Sequence, residues 1–148
     1  MNNPVKTDKS KFTNKPLHKK IQKPWGHEII FTEENFQYTG KILHIKAGER
    51  LSLQVHDQKH ETQFLVSGRC MRIADNESGN LEEIEMEHHR GYAIYIGQRH
   101  RLHAIEDCDI FEVSTPEIGN TYRLEDDYRR RTETEEIRKL KHRGWSKK

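Results

Sequence analysis

Short apolar segments separated by turn-forming residues fill the middle of this chain, and they constrain its fold more than any other feature. Between residues 28 and 114, nine segments have the alternating or mostly apolar pattern of β-strands. They are Glu28–Phe31, Lys41–Lys46, Leu51–His56, Gln63–Val66, Arg69–Ala74, Leu81–Glu85, Ala93–Ile96, Arg101–Ile105 and Ile110–Ser114. Gly or Asn in the connections suits tight turns. No helical stretch interrupts the series, so we predict an all-β domain with antiparallel pairing in a sandwich or barrel.

The two ends of the chain are much more polar than this middle region. Of the 148 residues, 32% are hydrophobic and 34% are charged, which leaves enough core-forming residues for one modest domain. We predict a flexible basic arm at residues 1–22, one domain at 23–130 and a charged helix and tail at 131–148. Thr132 and Glu135 have the spacing of a helix-capping box, which predicts a short C-terminal helix.

The charge pattern and the cysteines limit the partners and the compartment. The net charge is only +2 and both signs are interspersed, so we expect no nucleic-acid or membrane partner. The chain has no apolar run of bilayer-spanning length and no apolar secretion signal at its N-terminus. Cys70 and Cys108 lack CxxC spacing, which favours reduced thiols. We therefore expect a cytoplasmic protein.

Polar residues on one predicted strand are candidate metal ligands. Alternation along Leu51–His56 places Gln54 and His56 on one face and three aliphatic side chains on the other. Inside a barrel these polar groups need a partner, which a metal ion would provide. Glu61 follows a predicted turn, and His100 lies much further along the chain. Two imidazoles, a carboxylate and an amide oxygen suit one divalent ion, with zinc the first choice and manganese, iron, cobalt or nickel as alternatives. The competing interpretation is that these are surface residues with satisfied side chains.

Two stretches around these residues resemble the two motifs of the cupin superfamily. The first is GERLSLQVH at residues 48–56, followed by Glu61, and the second is IGQRHRL at residues 96–102. The resemblance implies a cupin-type antiparallel β-barrel, also called a double-stranded β-helix or jelly roll. It also implies that the ion is held at the four positions named above.

More narrowly, residues 23–130 are similar to the isomerase domain of type II phosphomannose isomerases, which is often fused to mannose-1-phosphate guanylyltransferase. The shared elements are Pro24-Trp25-Gly26, the GERLSLQ stretch, and acidic residues before Tyr128 and Arg130. This resemblance implies a metal-dependent isomerase that interconverts mannose 6-phosphate and fructose 6-phosphate. The 148 residues are too few to hold the guanylyltransferase domain as well.

Three departures from the family pattern lie close to the motifs. In the tract after the Gln, where the family has several His, only His56 remains at the ligand position. Tyr95 replaces a proline before the second motif, and Arg129 replaces a glycine before Arg130. The first of these changes alters neighbours of the metal ligands where substrate contacts are expected.

The isomerisation implied by the resemblance needs a base near the sugar carbons and cations for the phosphate. Glu112 is a candidate catalytic residue because it alternates with Phe111 and Val113 on its strand. Arg130 is a second candidate, which rests on the family motif. The candidate substrate-binding residues are Lys46, Arg50, Arg99 and His103, and Arg101 is a further cation. The alternative for each cation is a solvated surface charge, since 26 residues are Lys or Arg.

Other functions fit parts of the same pattern. Two His and one carboxylate also occur in non-haem iron oxygenases. A non-catalytic cupin that binds a sugar phosphate, and a metal-independent sugar epimerase, are further alternatives. The aliphatic face of Leu51, Leu53 and Val55 needs a cover, for which we expect a homodimer, with the second sheet or the Trp25 segment as alternatives.

Overall fold

A computed structural model describes residues 2–147 and contains two antiparallel sheets. The strands are β1 (Lys19–Lys23), β2 (Gly26–Ile30), β3 (Thr39–Ile45), β4 (Leu53–His56), β5 (Glu61–Ser67), β6 (Cys70–Asp75), β7 (Leu81–Glu85), β8 (Gly91–Ile94), β9 (His100–Ala104), β10 (Cys108–Ser114) and β11 (Thr121–Glu125). One sheet has the order β1-β2-β3-β10-β5-β8 and the other β11-β4-β9-β6-β7. This architecture confirms the predicted all-β barrel fold.

All nine predicted strands are present, and each end lies within two residues of its predicted position. Strands β1 and β11 were not predicted. Residues 19–22, which we assigned to a flexible arm, form most of β1 and pair along their length with β2. Strand β11 pairs with β4. Both segments are polar in sequence, so the pairing with a neighbouring strand decides their conformation rather than their own composition.

The predicted C-terminal helix is one turn long. Helix α1 (Glu135–Arg138) begins after Thr134, whose side chain accepts a hydrogen bond from the backbone N–H of Ile137. The N-cap is therefore Thr134 and not Thr132 as the capping-box spacing predicted. A 3-10 turn follows at Lys141–Gly144. No helix in residues 2–147 has the length and hydropathy to cross a bilayer.

The interior of the barrel divides into an apolar half and a polar half. Strand β10 contributes Cys108 and Ile110 to the core and then turns polar, with Glu112 buried on the same face. Strand β9 makes the reverse change, from the buried polar His100 to the core residue Leu102. The core residues are Trp25, Leu43, Ile45, Leu51, Leu65, Cys70, Met86, Leu102, Ala104, Cys108 and Ile110. Because buried polar groups need partners, we expect a ligand to bind in the polar half.

The turn before β2 requires glycine. Trp25 is a core residue, and Gly26 has a φ of 151°. A Cβ at this position would collide with the backbone carbonyl of His44 on β3. Pro24-Trp25-Gly26 therefore fixes the close approach of the first hairpin to β3.

Two of the three residues on the aliphatic face that suggested a second subunit are buried within this chain, and the third, Val55, is half-buried. Leu51 and Leu53 are only 9% and 6% exposed, and Leu51 belongs to the core. The chain's own sheets therefore cover the two leucines for which a second subunit was expected, and the homodimer stays a prediction.

Arg129, which replaces the family's glycine, has a φ of 57° in the left-handed region. A residue with a Cβ pays roughly 1–2 kcal/mol there, whereas glycine loses about 0.5–1 kcal/mol of backbone entropy. Arg129→Gly should therefore raise the free energy of unfolding by about 0.5–1 kcal/mol in urea titrations. Arg131→Gly is the matched control and should lower it. A loss of stability in Arg129→Gly would contradict the strain at this position.

Candidate metal centre and its charged cavity

His56, Glu61 and His100 converge in the polar half of the barrel. One ligand atom from each lies within 4.8 Å of the others, and the three side chains are at most 3% exposed. Strand β4 ends at His56, whereas β5 begins at Glu61 and β9 begins at His100. The two sheets thus meet at this cluster, which joins residues far apart in sequence.

The two imidazoles present the same nitrogen to the carboxylate. Nε2 of His56 lies 3.5 Å from Glu61 Oε2, and Nε2 of His100 lies 3.2 Å from Glu61 Oε1. On the far side of each ring, His56 Nδ1 lies 3.0 Å from Thr121 Oγ1, and His100 Nδ1 donates to the carbonyl of Gln98 at 2.9 Å. Such outer partners fix ring orientation around metal ions.

The atoms that face the centre of the cluster fit a cation. His56 Nε2 is buried and has no hydrogen-bond partner among residues 2–147, and Glu61 Oε2, which lies 3.5 Å from it, is contacted by the ammonium of Lys59 at 3.1 Å. A buried polar atom without a partner costs about 1–3 kcal/mol, and a divalent ion bound between the imidazole and the carboxylate would satisfy His56 Nε2. Imidazole nitrogens with a carboxylate oxygen suit zinc and the neighbouring transition metals. The residues present therefore fit the predicted metal.

Gln54, the fourth predicted ligand, lies beside the cluster and is half-buried. Its Nε2 lies 3.4 Å from His100 Nε2, and its Oε1 accepts a hydrogen bond from Ser52 at 2.7 Å. Turning the terminal amide by 180° would direct Oε1 toward the cluster, so that the amide oxygen would complete the set.

The protonation states of two of these residues suit metal binding. Burial lowers the pKa of His56 to about 4, so its imidazole is neutral at physiological pH. Burial raises the pKa of Glu61, but the charge of Lys59 and the neighbouring imidazoles of His100 and His56 outweigh this and hold it well below its usual value. A neutral imidazole and an ionised carboxylate are the forms that bind metals.

A cavity of about 60 Å³ lies beside the cluster, and its walls are unusually charged. Five carboxylates line it: Glu28, Glu61, Glu112, Glu117 and Glu133. Seven basic side chains join them: Lys23, Lys41, Lys59, Arg123, Arg130, Arg138 and Arg143. A bound divalent ion would add to the positive excess. Most of these residues were not predicted from the sequence, because the residue type alone does not distinguish a buried lysine or arginine from a solvated one.

The structure brings only part of the predicted set to this cavity. Glu112 and Arg130 line it together with Gln54, His56 and Glu61. Arg130 is held by two contacts to Asp126 of 2.9 and 3.0 Å, and its guanidinium carbon lies 5.4 Å from the ring centre of Tyr128.

The four predicted substrate-binding residues lie elsewhere: Lys46, Arg50, Arg99 and His103 do not line the cavity. Arg99 and His103 lie an odd number of residues from His100, and strand alternation turns them to the opposite face. Arg99 pairs with Asp75 at 2.6 Å.

Arg50 pairs with Asp127 at 2.6 Å, and Lys46 is exposed beyond the end of β3. Arg101, which was a further candidate, donates to the carbonyl of Leu51 at 3.0 Å. These cations therefore have partners or solvent outside the cavity.

Glu112 is a buried carboxylate whose pKa is raised. It is 4% exposed, with Oε2 3.4 Å from Lys41 Nζ and 4.0 Å from Lys59 Nζ. Burial, reinforced by the charge of Glu61, raises the pKa of Glu112 to about 7.

This raised pKa predicts a pH dependence of stability. Between its unfolded value of 4.5 and about 7, the folded state holds the Glu112 proton more tightly than the unfolded state does. The stabilisation from this group is therefore complete below pH 4.5 and is lost as the pH rises to about 7, by roughly 3 kcal/mol. In urea titrations of metal-free protein, Glu112→Gln should remove this slope. An unchanged slope would show that other groups cause it.

The antiparallel barrel and the His–Glu–His cluster together define a cupin with a candidate metal centre. The family model described as mannose-6-phosphate isomerase C-terminal matches residues 10–133, and the chain belongs to this family. A search of the curated proteins found no match.

Solved structures with the same fold include an oxalate decarboxylase, an assembling protein and the protein KdgF. An oxalate decarboxylase from Lactobacillus farciminis is 18% identical with a TM-score of 0.62, and the match covers 72% of this chain and 34% of the decarboxylase chain. The capsular polysaccharide assembling protein CapF from Staphylococcus aureus is 16% identical with a TM-score of 0.55, covering 84% and 34%. KdgF from Halomonas sp. is 13% identical with a TM-score of 0.57, covering 67% and 88%. The chain spans about a third of the first two proteins, and at these identities the likeness concerns the fold alone.

Proposed function

We propose that this protein is a metal-dependent sugar-phosphate isomerase that interconverts mannose 6-phosphate and fructose 6-phosphate. The observation that supports it most is that His56 and Glu61, two members of the cluster completed by His100, line one cavity with the buried Glu112, in a chain of the mannose-6-phosphate isomerase C-terminal family.

The reaction moves a proton between C2 and C1 of the open-chain sugar by way of an enediolate. A bound divalent ion would supply the Lewis acidity that stabilises negative charge developing on the sugar oxygens. Glu112 would take the proton from one carbon and return it to the other. Its Oε2 is buried without a hydrogen-bond partner among residues 2–147, and a pKa of about 7 suits both accepting and releasing a proton near neutral pH.

Lysines hold the two carboxylates in different states. Lys59 Nζ lies 3.1 Å from Glu61 Oε2, which favours the ionised form of that ligand. Lys41 contacts Glu28, Glu112 and Glu117, so its charge is shared and does not force Glu112 to ionise. Environment thus separates a permanent ligand from a candidate base, although both are glutamates on paired strands.

Substrate binding would require the cavity to widen. Pockets for small molecules usually measure about 300–1,000 Å³, whereas this cavity measures about 60 Å³. Arg138 and Arg143 from the C-terminal segment, residues 134–147, form part of its wall. We propose that this segment moves outward when the sugar phosphate enters.

The charged cavity wall is also compatible with a second candidate, a cupin that binds a sugar phosphate without turnover. The test is an assay of purified, metal-analysed protein with mannose 6-phosphate in deuterated water, before and after chelation. The isomerase proposal predicts fructose 6-phosphate, deuterium incorporation at the transferred position, and loss of both on chelation with recovery on adding metal. Binding without exchange would support the second candidate, and oxygen consumption with iron would favour an oxygenase.

A further inference from the structure

Three guanidinium groups surround one buried carboxylate in the cavity wall. Glu133 Oε1 accepts from Arg143 Nη1 at 2.9 Å and from Arg138 Nε at 3.1 Å, and its Oε2 accepts from Arg123 Nη2 at 3.4 Å. The Glu133 side chain is 5% exposed, and those of Arg123 and Arg143 are each 8% exposed. Three strong donors on a single carboxylate, away from water, form an anion-binding arrangement.

Two of the arginines around Glu133 have N–H donors that make no hydrogen bond among residues 2–147. The Nε groups of Arg123 and Arg143 are buried and have no partner among residues 2–147. In contrast, Arg138 is fully engaged, because its Nη1 and Nη2 also donate to the carbonyls of Glu117 and Gly119 at 3.0 Å. Two unused N–H donors therefore remain beside Glu133.

A phosphoryl group matches this surplus better than a carboxylate does. It has three acceptor oxygens where Glu133 has two, and it carries about −1.5 to −2 charge at pH 7. The cavity wall has more basic than acidic side chains, and a divalent ion would increase the difference. Exchange of Glu133 for a phosphoryl group would satisfy the free donors and reduce the net positive charge.

We propose that Arg123, Arg138 and Arg143 form an anion subsite that binds a phosphoryl group, and that Glu133 occupies this subsite in the ligand-free protein. Arg138 and Arg143 follow the last residue of the family match, Glu133, so the subsite depends on this chain's own C-terminal segment. In taking the phosphoryl group of a sugar phosphate as the natural ligand, the inference rests on the proposed function.

The test is a titration of metal-free protein with inorganic phosphate, followed by calorimetry and ³¹P NMR. Glu133→Gln removes the internal competitor and should bind phosphate at least about ten-fold more tightly than the wild type. Arg143→Lys keeps the positive charge but loses the planar guanidinium with its several N–H donors, and it should bind phosphate at least about ten-fold more weakly than the wild type. Lys141→Gln, which removes an exposed charge on the same segment, is the control and should match the wild type.

A merely structural role for Glu133 predicts the opposite pattern. If Glu133→Gln binds phosphate no more tightly than the wild type, or if Arg143→Lys binds as well as the Lys141→Gln control, the subsite is overturned. Glu133→Asp, whose shorter side chain should also release the arginines and tighten phosphate binding, serves if Glu133→Gln does not fold.

Comparing mannose 6-phosphate with mannose separates this inference from the isomerase proposal. The subsite predicts that Arg143→Lys weakens binding of the phosphate ester and leaves that of mannose unchanged. Phosphate binding with the expected pattern but no turnover would keep the subsite and remove the isomerase. Turnover with an equal KM for mannose 6-phosphate in Arg143→Lys and Lys141→Gln would keep the isomerase and remove the subsite.

Discussion

His56→Ala should lower kcat/KM for mannose 6-phosphate by roughly 10³-fold or more. The imidazole is a central member of the candidate metal cluster, with its Nε2 facing Glu61. Loss of a Lewis acid removes several kcal/mol of transition-state stabilisation, and each 1.36 kcal/mol is a factor of ten in rate. The measurement is a coupled assay for fructose 6-phosphate with metal-saturated protein.

His103→Ala is the matched control for this substitution. His103 is on the same strand as His100 but does not line the cavity, so kcat/KM should stay within about two-fold of the wild type. Equal losses of kcat/KM in the two variants would mean that the imidazole of His56 has no special role. A mechanism that depends on a metal ion bound by His56 would then be contradicted.

Arg143→Ala should lower the free energy of unfolding by about 3 kcal/mol. The Arg143 guanidinium contacts Glu28, Glu117 and Glu133, and all four side chains are at most 13% exposed. Removing one partner from buried ion pairs leaves uncompensated charge, which typically costs about 3–5 kcal/mol. The lower end applies here because lysines also contact two of these carboxylates. The measurement is urea unfolding at pH 7.

Lys141→Ala is the control for Arg143→Ala. Lys141 is an exposed base two residues away, and its loss should change the free energy of unfolding by no more than about 0.5 kcal/mol. Similar small effects of both substitutions would show that the buried ion pairs are replaced at little cost by water and neighbouring lysines.

The fold could be predicted from the sequence to a large extent because it follows from local alternation. Apolar residues on one face and glycine in the turns locate β2 to β10, since both signals act within a few residues. Strands β1 and β11 have no such signal, because β1 is a lysine-rich segment held by its pairing with β2. Their position depends on long-range contacts that a pattern of neighbours does not contain.

The candidate site was predictable for the ligands and much less so for the cavity wall. His56 and Glu61 lie close together in sequence, and the cupin resemblance added His100 across the barrel. The predicted cations were drawn from residues near the motifs, such as Arg99, yet alternation turns them outward. The cations in the wall, such as Arg143, come from the far end of the chain and are buried by ion pairs formed only in the folded state.

The most direct test of a metal centre at His56, Glu61 and His100 is crystallographic. Crystals of the purified protein, with metal content determined beforehand, would be measured on both sides of the absorption edge of the bound metal. We expect one anomalous peak between Nε2 of His56, Nε2 of His100 and the Glu61 carboxylate, and no peak there in crystals of His56→Ala. A metal peak at another position, or an empty cluster in protein saturated with zinc, manganese, iron, cobalt and nickel in turn, would contradict a metal centre at these three residues.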